Sequence, residues 1–265
     1  MIRHDAEGLR FYRFENIPDS DVNYGIFTRI GGASKGIHNS LNLGRTNGDV
    51  PETVLENLQS VYKLLGRSLT SRYNVWQVHG TKVHFAEQPL NPGSKPQAGD
   101  AIFTDKPEVT LAMVFADCLP LLLYNPDVKA IGIVHSGWQG TLEKIADVAV
   151  REASETYACS PKDWRVGIGP GICGNCYEVG QEVRKKFLNN WGNRAEKYFR
   201  PQSDKYLLDL PLAVEETLRE AGVEEIENSH FCTAENLKEW FSYRKEKGAT
   251  GRFGVVMALR EAEIA

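Results

Sequence analysis

Between Ala101 and Val134 the chain carries apolar runs in close succession: "AIF", then "VTLAMVF" and "LPLLLY", then "AIGIV". The "NPD" at Asn125 to Asp127 is a turn signal between the last two. Near-continuous apolar runs of strand length suit strands covered on both faces. They require a large core, and a chain of 265 residues can supply one. None of them approaches the length of about 18 residues that spans a bilayer, because Asp117 and Pro120 interrupt the longest.

Around this centre the periodicity changes. Apolar residues at Val54, Leu55, Leu58, Val61, Tyr62 and Leu65 have a helical period, and Pro51 and Glu52 suit the first turn. A second amphipathic helix is expected over Gly140 to Ala158, and others near Glu178 to Leu188 and Leu210 to Ala221. "YNVWQVHGTKVHFAE" alternates like a hairpin around Gly80, "YGIFTRI" reads as a strand ending near Arg29, and "WRVGIGPGI" and "RFGVVMALR" read as strands. Strands and helices are mixed without strict alternation, which predicts an α/β domain with a mixed sheet. No repeat or linker divides the chain, so residues 1–265 are expected to form one domain.

Charge and cysteine usage exclude several classes. A net charge of -4 gives no basic signature for nucleic acid or an anionic membrane. The start, "MIRHDAEGLRFYRFE", lacks the apolar segment of a secretory signal. Five cysteines, an odd number, argue against a disulfide framework and for a reducing cytoplasm.

Two of the six histidines close predicted strands: His79 ends "VWQVH" before Gly80, and His135 ends "IGIVH" before Ser136 and Gly137. Cys118 sits between them in chain order, at the break between two apolar runs. These separations suit neighbouring strands that each deliver one side chain to a common edge. Two imidazoles and a thiolate make an open, catalytic type of metal site, and the thiolate favours zinc or copper over magnesium or calcium. The alternatives are two satisfied core histidines with a buried small thiol, or a thiol hydrolase with Cys118 as nucleophile and His79 or His135 as base. Cys173 and Cys176 form C-x-x-C, either redox-active, half of a zinc site, or structural. Cys159 and Cys232 are isolated along the chain, and His230 is read as lying in a strand. The G-x-G-x-x-G match at 169–174 lacks an acidic partner about 20 residues on, so it does not read as a dinucleotide fingerprint.

"WQVHG", "GDAIFTD", "ADCLPLLLY", "VHSGWQGTL" and "GIGPGICGNCYEVG", flanked by "TRIGGASKGIHNSLNLG" and "CTAENLKEWFSYRKEKGATGRFGVVMAL", resemble the laccase-domain family of YfiH-like, polyphenol-oxidase-type proteins over nearly the whole chain. The resemblance implies a single α/β domain with a mixed central sheet flanked by helices. It implies a zinc (copper in some members) held by His79, Cys118 and His135, and the partners it implies are small: a purine nucleoside and phosphate. The implied chemistry is phosphorolysis of adenosine, inosine and methylthioadenosine, with adenosine deamination as a side activity. Peptidoglycan editing by a thiol or metal hydrolase and polyphenol oxidation are the alternatives. Either nucleoside reaction needs a carboxyl group near the metal, and Asp100 and Asp117 are the candidates, each equally suited to fixing a ligand. Ser40 and Asn42 are candidates to hydrogen-bond sugar or base, or else to cap their loop. Trp138 either walls a pocket or packs in the core. Gln139 stands where the family usually has Arg, and it offers a neutral amide in place of a bidentate cation.

Overall fold

In a computed structural model that describes residues 1–260, strands and helices form an α/β fold in which mixed sheets are flanked by helices. Residues 261–265 of the expected domain lie outside the described residues. One six-stranded sheet has the order β1 (Ile2–Ala6), β2 (Leu9–Arg13), β3 (Val22–Phe27), β15 (Phe253–Leu259), β7 (Thr110–Phe115), β4 (Arg72–Tyr73). The other six-stranded sheet has the order β14 (Glu225–Asn228), β10 (Arg165–Ile168), β8 (Leu119–Asn125), β9 (Ala130–Ser136), β6 (Ala101–Thr104), β5 (Val83–Phe85). A small antiparallel sheet joins β11 (Glu178–Val179), β13 (Lys205–Leu208) and β12 (Phe199–Gln202). The helices are α1 (Pro51–Leu64), α2 (Trp138–Leu142), α3 (Ile145–Thr156), α4 (Gln181–Trp191) and α5 (Leu210–Glu220).

The period of two along each strand divides the apolar residues between layers. Tyr24, Ile26, Leu111, Met113, Val255 and Met257 of the first large sheet face Ile102, Leu122, Ile131 and Ile133 of the second. Their neighbours Phe27, Ala112 and Val256 turn the other way, onto Val54, Leu58 and Val61 of α1. On the second sheet Phe103, Leu121, Leu123 and Val134 turn outward onto α3, α4 and α5. The result is helix, sheet, sheet, helices. Both large sheets are covered on both faces, as the apolar runs require, but the strands are shared between two sheets instead of one.

Three local expectations are corrected. "YNVWQVHGTKVHFAE" is not a hairpin: β4 and β5 join different sheets, each by a parallel pairing. The backbone N–H groups of Val78, His79 and Gly80 donate to the Asp100 carboxylate, so that segment is held as a loop by a side chain instead of a ladder. The helix expected over Gly140 to Ala158 is two helices. The Trp191 indole N–H donates to the Leu142 carbonyl at 2.8 Å, and Lys144 turns left-handed with φ 59°. His230 lies beyond β14 in an irregular segment, with φ 54°.

Candidate metal centre

β8 and β9 pair antiparallel with Leu119 opposite Ser136 and Pro120 opposite His135. That register sets Cys118, the residue before β8, beside the end of β9. One ligand atom each from His79, Cys118 and His135 lies within 4.8 Å of the other two. The three come from different settings: the end of a buried strand, a break between strands, and the loop at His79 with φ 62°. His135 is buried, Cys118 is half-buried and His79 is exposed, so the group opens to solvent on the His79 side. The two imidazole rings meet edge to face, 4.9 Å apart.

Asp100, fully buried just before β6, organises this group. Its carbonyl accepts the His135 backbone N–H at 2.7 Å, and its Oδ1 lies 2.8 Å from His135 Nδ1. An ionised carboxylate can only accept, so Nδ1 carries a proton, and in the neutral ring that a metal would bind Nε2 keeps the free lone pair. The same carboxylate accepts the N–H groups of Val78, His79 and Gly80 at 3.2, 2.9 and 2.8 Å. Burial opposes its charge, but these bonds hold it below the usual carboxylate range. Burial also opposes a charged Cys118 and a charged His135, and the pairing outweighs it. The charge and hydrogen bonds of His135 and His79 bring the thiol down to about 6, while Cys118 and Asp100 push His135 up.

Asp117, with φ 87°, shapes the turn that carries Cys118. Its Oδ1 accepts the Thr233 hydroxyl and its Oδ2 the Arg244 backbone N–H, both at 2.6 Å. Asp100 thus spends its oxygens on the segment at His79 and on the His135 ring, while Asp117 spends its own on tying the turn before Cys118 to Thr233 and Arg244.

The family described as multi-copper polyphenol oxidoreductase laccase matches residues 23–260. The chain belongs to this family. A Deinococcus radiodurans protein named purine nucleoside phosphorylase is 35% identical over 262 residues, which cover 97% of this chain and 96% of that one. Purine nucleoside phosphorylase YfiH of Escherichia coli (strain K12) is 34% identical over 230 residues, 85% of this chain and 88% of its own. The crystal structure of YlmD from Geobacillus stearothermophilus matches with a TM-score of 0.88 at 29% identity, covering 97% of this chain and 98% of that one.

In this laccase-family chain the other candidate residues fall in two places. Ser40 and Asn42 knit the glycine-rich loop. Ser40 Oγ accepts the N–H groups of Gly31 and Gly32, and buried Asn42 bonds Asp49, Gly44 and the Arg252 N–H. Among the described residues none of their hydrogen bonds reaches His79, Cys118 or His135. Trp138 opens α2 directly after Gly137; it is half-buried against the helix-side core, with Lys186 Nζ 5.3 Å from its ring centre. Gln139 is exposed on the same short helix.

Sequence reasoning missed four participants. Thr233 and Arg244 hold Asp117 from more than a hundred residues away, and no local pattern marks them. Burial lowers the Arg252 guanidinium, and the charges of Tyr243, Cys118 and Asp117 act to restore it; its Nη1 donates to the Thr250 and Gly251 carbonyls. Cys232, isolated along the chain, is brought to Cys173 and Cys176. No helix among the described residues is long and apolar enough to cross a membrane.

Proposed function

We propose that the chain is a zinc-dependent purine nucleoside phosphorylase acting on adenosine, inosine and methylthioadenosine, with adenosine deamination as a side activity. The carrying observation is the group of His79, Cys118 and His135 with Asp100 behind it, in a chain whose relatives over nearly its full length are named purine nucleoside phosphorylases. Two imidazoles and one thiolate fit zinc with one tetrahedral position left open. Bound there, the metal supplies Lewis acidity to a phosphate or nucleoside oxygen.

The protein groups have separable tasks. Asp100 fixes the His135 ring and its tautomer, and it is a positioning residue. Gly137 leaves room for the Cys118 sulfur and the His79 ring. Exposed His79 marks the side from which substrate arrives, and half-buried Trp138, next in the chain to Gly137, is the candidate aromatic surface for a base. In the reaction a phosphate oxygen bonds to C1′ as the C1′–N9 bond breaks. The bonding pair leaves with the purine, which takes up the proton that the attacking phosphate gives up. With Gln139 neutral, phosphate lacks the bidentate cation that an Arg would supply at that position. A charge-assisted hydrogen bond is worth roughly 1.5–3 kcal/mol, so its loss costs about ten- to a hundredfold in phosphate affinity. Slow turnover with a high phosphate requirement is the expected behaviour, improved by Gln139→Arg. Five free thiols suit a reducing compartment such as the cytoplasm.

The test follows free base and ribose 1-phosphate from adenosine, inosine and methylthioadenosine at several phosphate concentrations. Phosphate-dependent release of base supports phosphorolysis. Release that ignores phosphate means hydrolysis, and inosine without free base means deamination alone. No product from any of the three transfers the proposal to peptidoglycan editing by a thiol or metal hydrolase.

A further inference from the structure

On the far side of Asp117 two short loops approach each other. One follows β10 and carries Cys173-Gly174-Asn175-Cys176. The other follows β14 and carries Cys232-Thr233-Ala234-Glu235. We propose that Cys173, Cys176, Cys232 and Glu235 form a second metal site that takes zinc in a closed, structural role.

The geometry is that of ligands around a shared cation. One ligand atom from each of the four residues lies within 4.8 Å of all the others. Glu235 Oε1 is 3.7 Å from Cys173 Sγ and 3.5 Å from Cys176 Sγ. Zinc–sulfur bonds of about 2.3 Å and a zinc–carboxylate bond of about 2.0 Å, at a tetrahedral angle, separate sulfur from oxygen by about 3.5 Å. Among the described residues the polar partners of Glu235 Oε1 are these two thiols, and it makes no ion pair with Lys, Arg or His. A carboxylate aimed at thiols instead of a cation gains most when a divalent ion sits between them.

Each loop presents its two ligands three residues apart, and each is folded to do so. The Cys173 carbonyl accepts the N–H groups of Cys176 and Tyr177 at 3.0 and 3.1 Å, closing a tight turn. The Cys232 carbonyl accepts the Asn236 N–H at 3.2 Å, which turns Glu235 back towards its own cysteine. The Cys173 N–H points at Cys232 Sγ, 3.4 Å away, and a donor on the sulfur favours the thiolate that a metal needs. Ile172 and Ala234 are buried beside the four. Three thiolates select zinc over magnesium or calcium, and four protein ligands leave no open position.

Both clamped loops also grip Asp117. The Ile172 N–H donates to its carbonyl at 2.9 Å and the Thr233 hydroxyl to its carboxylate. A metal here staples the support of the turn that presents Cys118, without joining the first centre.

The test removes the first centre. A Cys118→Ala, His135→Ala variant purified without chelator is expected to retain about one zinc per chain, and adding Cys173→Ser and Cys176→Ser to abolish it. In the Cys118→Ala variant, three thiols are expected to be shielded from a maleimide and to react once a strong chelator is added. A variant of the first centre that holds no zinc, thiols equally reactive before and after chelation, or a Cys173–Cys176 disulfide in protein isolated under non-reducing conditions would each overturn the proposal. The thiol readout needs only one substitution, so it stands even where the quadruple variant does not fold.

Discussion

A Cβ added to Gly137 would lie 2.9 Å from Cys118 Sγ, closer than real side-chain carbons approach, and a tight 3.0 Å from the His79 ring. Its place two residues after His135 follows from this crowding. Metal–ligand distances tolerate only about 0.2 Å, so Gly137→Ala, which pushes two ligands at once, is expected to lower zinc affinity about 10- to 100-fold. Competition with a chromophoric chelator measures it, and an unchanged affinity would refute the crowding argument. The thiol gives a second handle. In metal-stripped protein the depressed value of Cys118 keeps the thiolate above pH about 6 and loses it as pH falls through that value. The rate of Cys118 alkylation is expected to rise through an inflection near pH 6, against the usual value of about 8.5 for a free thiol. An inflection at or above 8.5 would show that His135 and His79 do not stabilise the charge. The three residues themselves were legible, because His and Cys at the ends or breaks of apolar runs are costly to place there without a partner. The role of Asp100 was legible only as one of two options. Its carboxylate has four backbone and side-chain partners, and three of them lie about 20 residues away in a segment that reads as a strand.

Asp100 and His135 meet because β6 and β9 run antiparallel, with Ala101 opposite Val134 and Phe103 opposite Gly132. The Phe103 ring lies across Gly132, where a Cβ would stand 2.3 Å from it. The missing side chain is therefore part of the ladder that aligns the centre. Gly132→Ala overpacks this fully buried pair and is expected to cost about 1–3 kcal/mol, read as a lower midpoint in urea. Zinc affinity should fall with it, since the displaced strand carries His135. Unchanged stability would mean that the Phe103 ring moves aside freely. Elements governed by local periodicity were readable: α1, α4, α5 and β9 stand within a few residues of their expected places. The failures have distant causes. The alternation around Gly80 was real, but its N–H groups belong to Asp100, and the helix after Gly140 stops where Trp191 takes the Leu142 carbonyl, 49 residues away. A hydrophobic pattern records which face is buried, not which acceptor a backbone group finds.

At the scale of the whole molecule, runs such as "LPLLLY" required strands with two covered faces, and the two stacked sheets with helices outside satisfy that requirement. The number of sheets was not readable, since a buried strand has the same composition in either arrangement. The distribution of imidazoles across this architecture bears on the oxidase chemistry in the family's description. Multicopper oxidation needs a blue-copper centre and a three-copper cluster ligated chiefly by imidazoles. The two candidate metal groups among the described residues contain two imidazoles and none, respectively. Three of the other four histidines are engaged elsewhere: His38 Nε2 lies 3.0 Å from the Asn47 carbonyl, His84 Nε2 lies 2.8 Å from the Ala98 carbonyl, and His4 stacks on Phe11; the fourth, His230, belongs to neither metal group. Gathering them would mean dismantling α1's loop, the edge of the second sheet and β1. Two imidazoles and a thiolate can still hold one copper, so copper binding by itself decides nothing; the rate of oxygen reduction does. Copper-loaded protein is expected to consume oxygen on phenols no faster than the same copper held by a small chelator. Sustained, enzyme-proportional oxygen uptake that survives His79→Ala but is lost with His38→Ala or His84→Ala would mean that those imidazoles assemble after all, and would refute this reading of the fold.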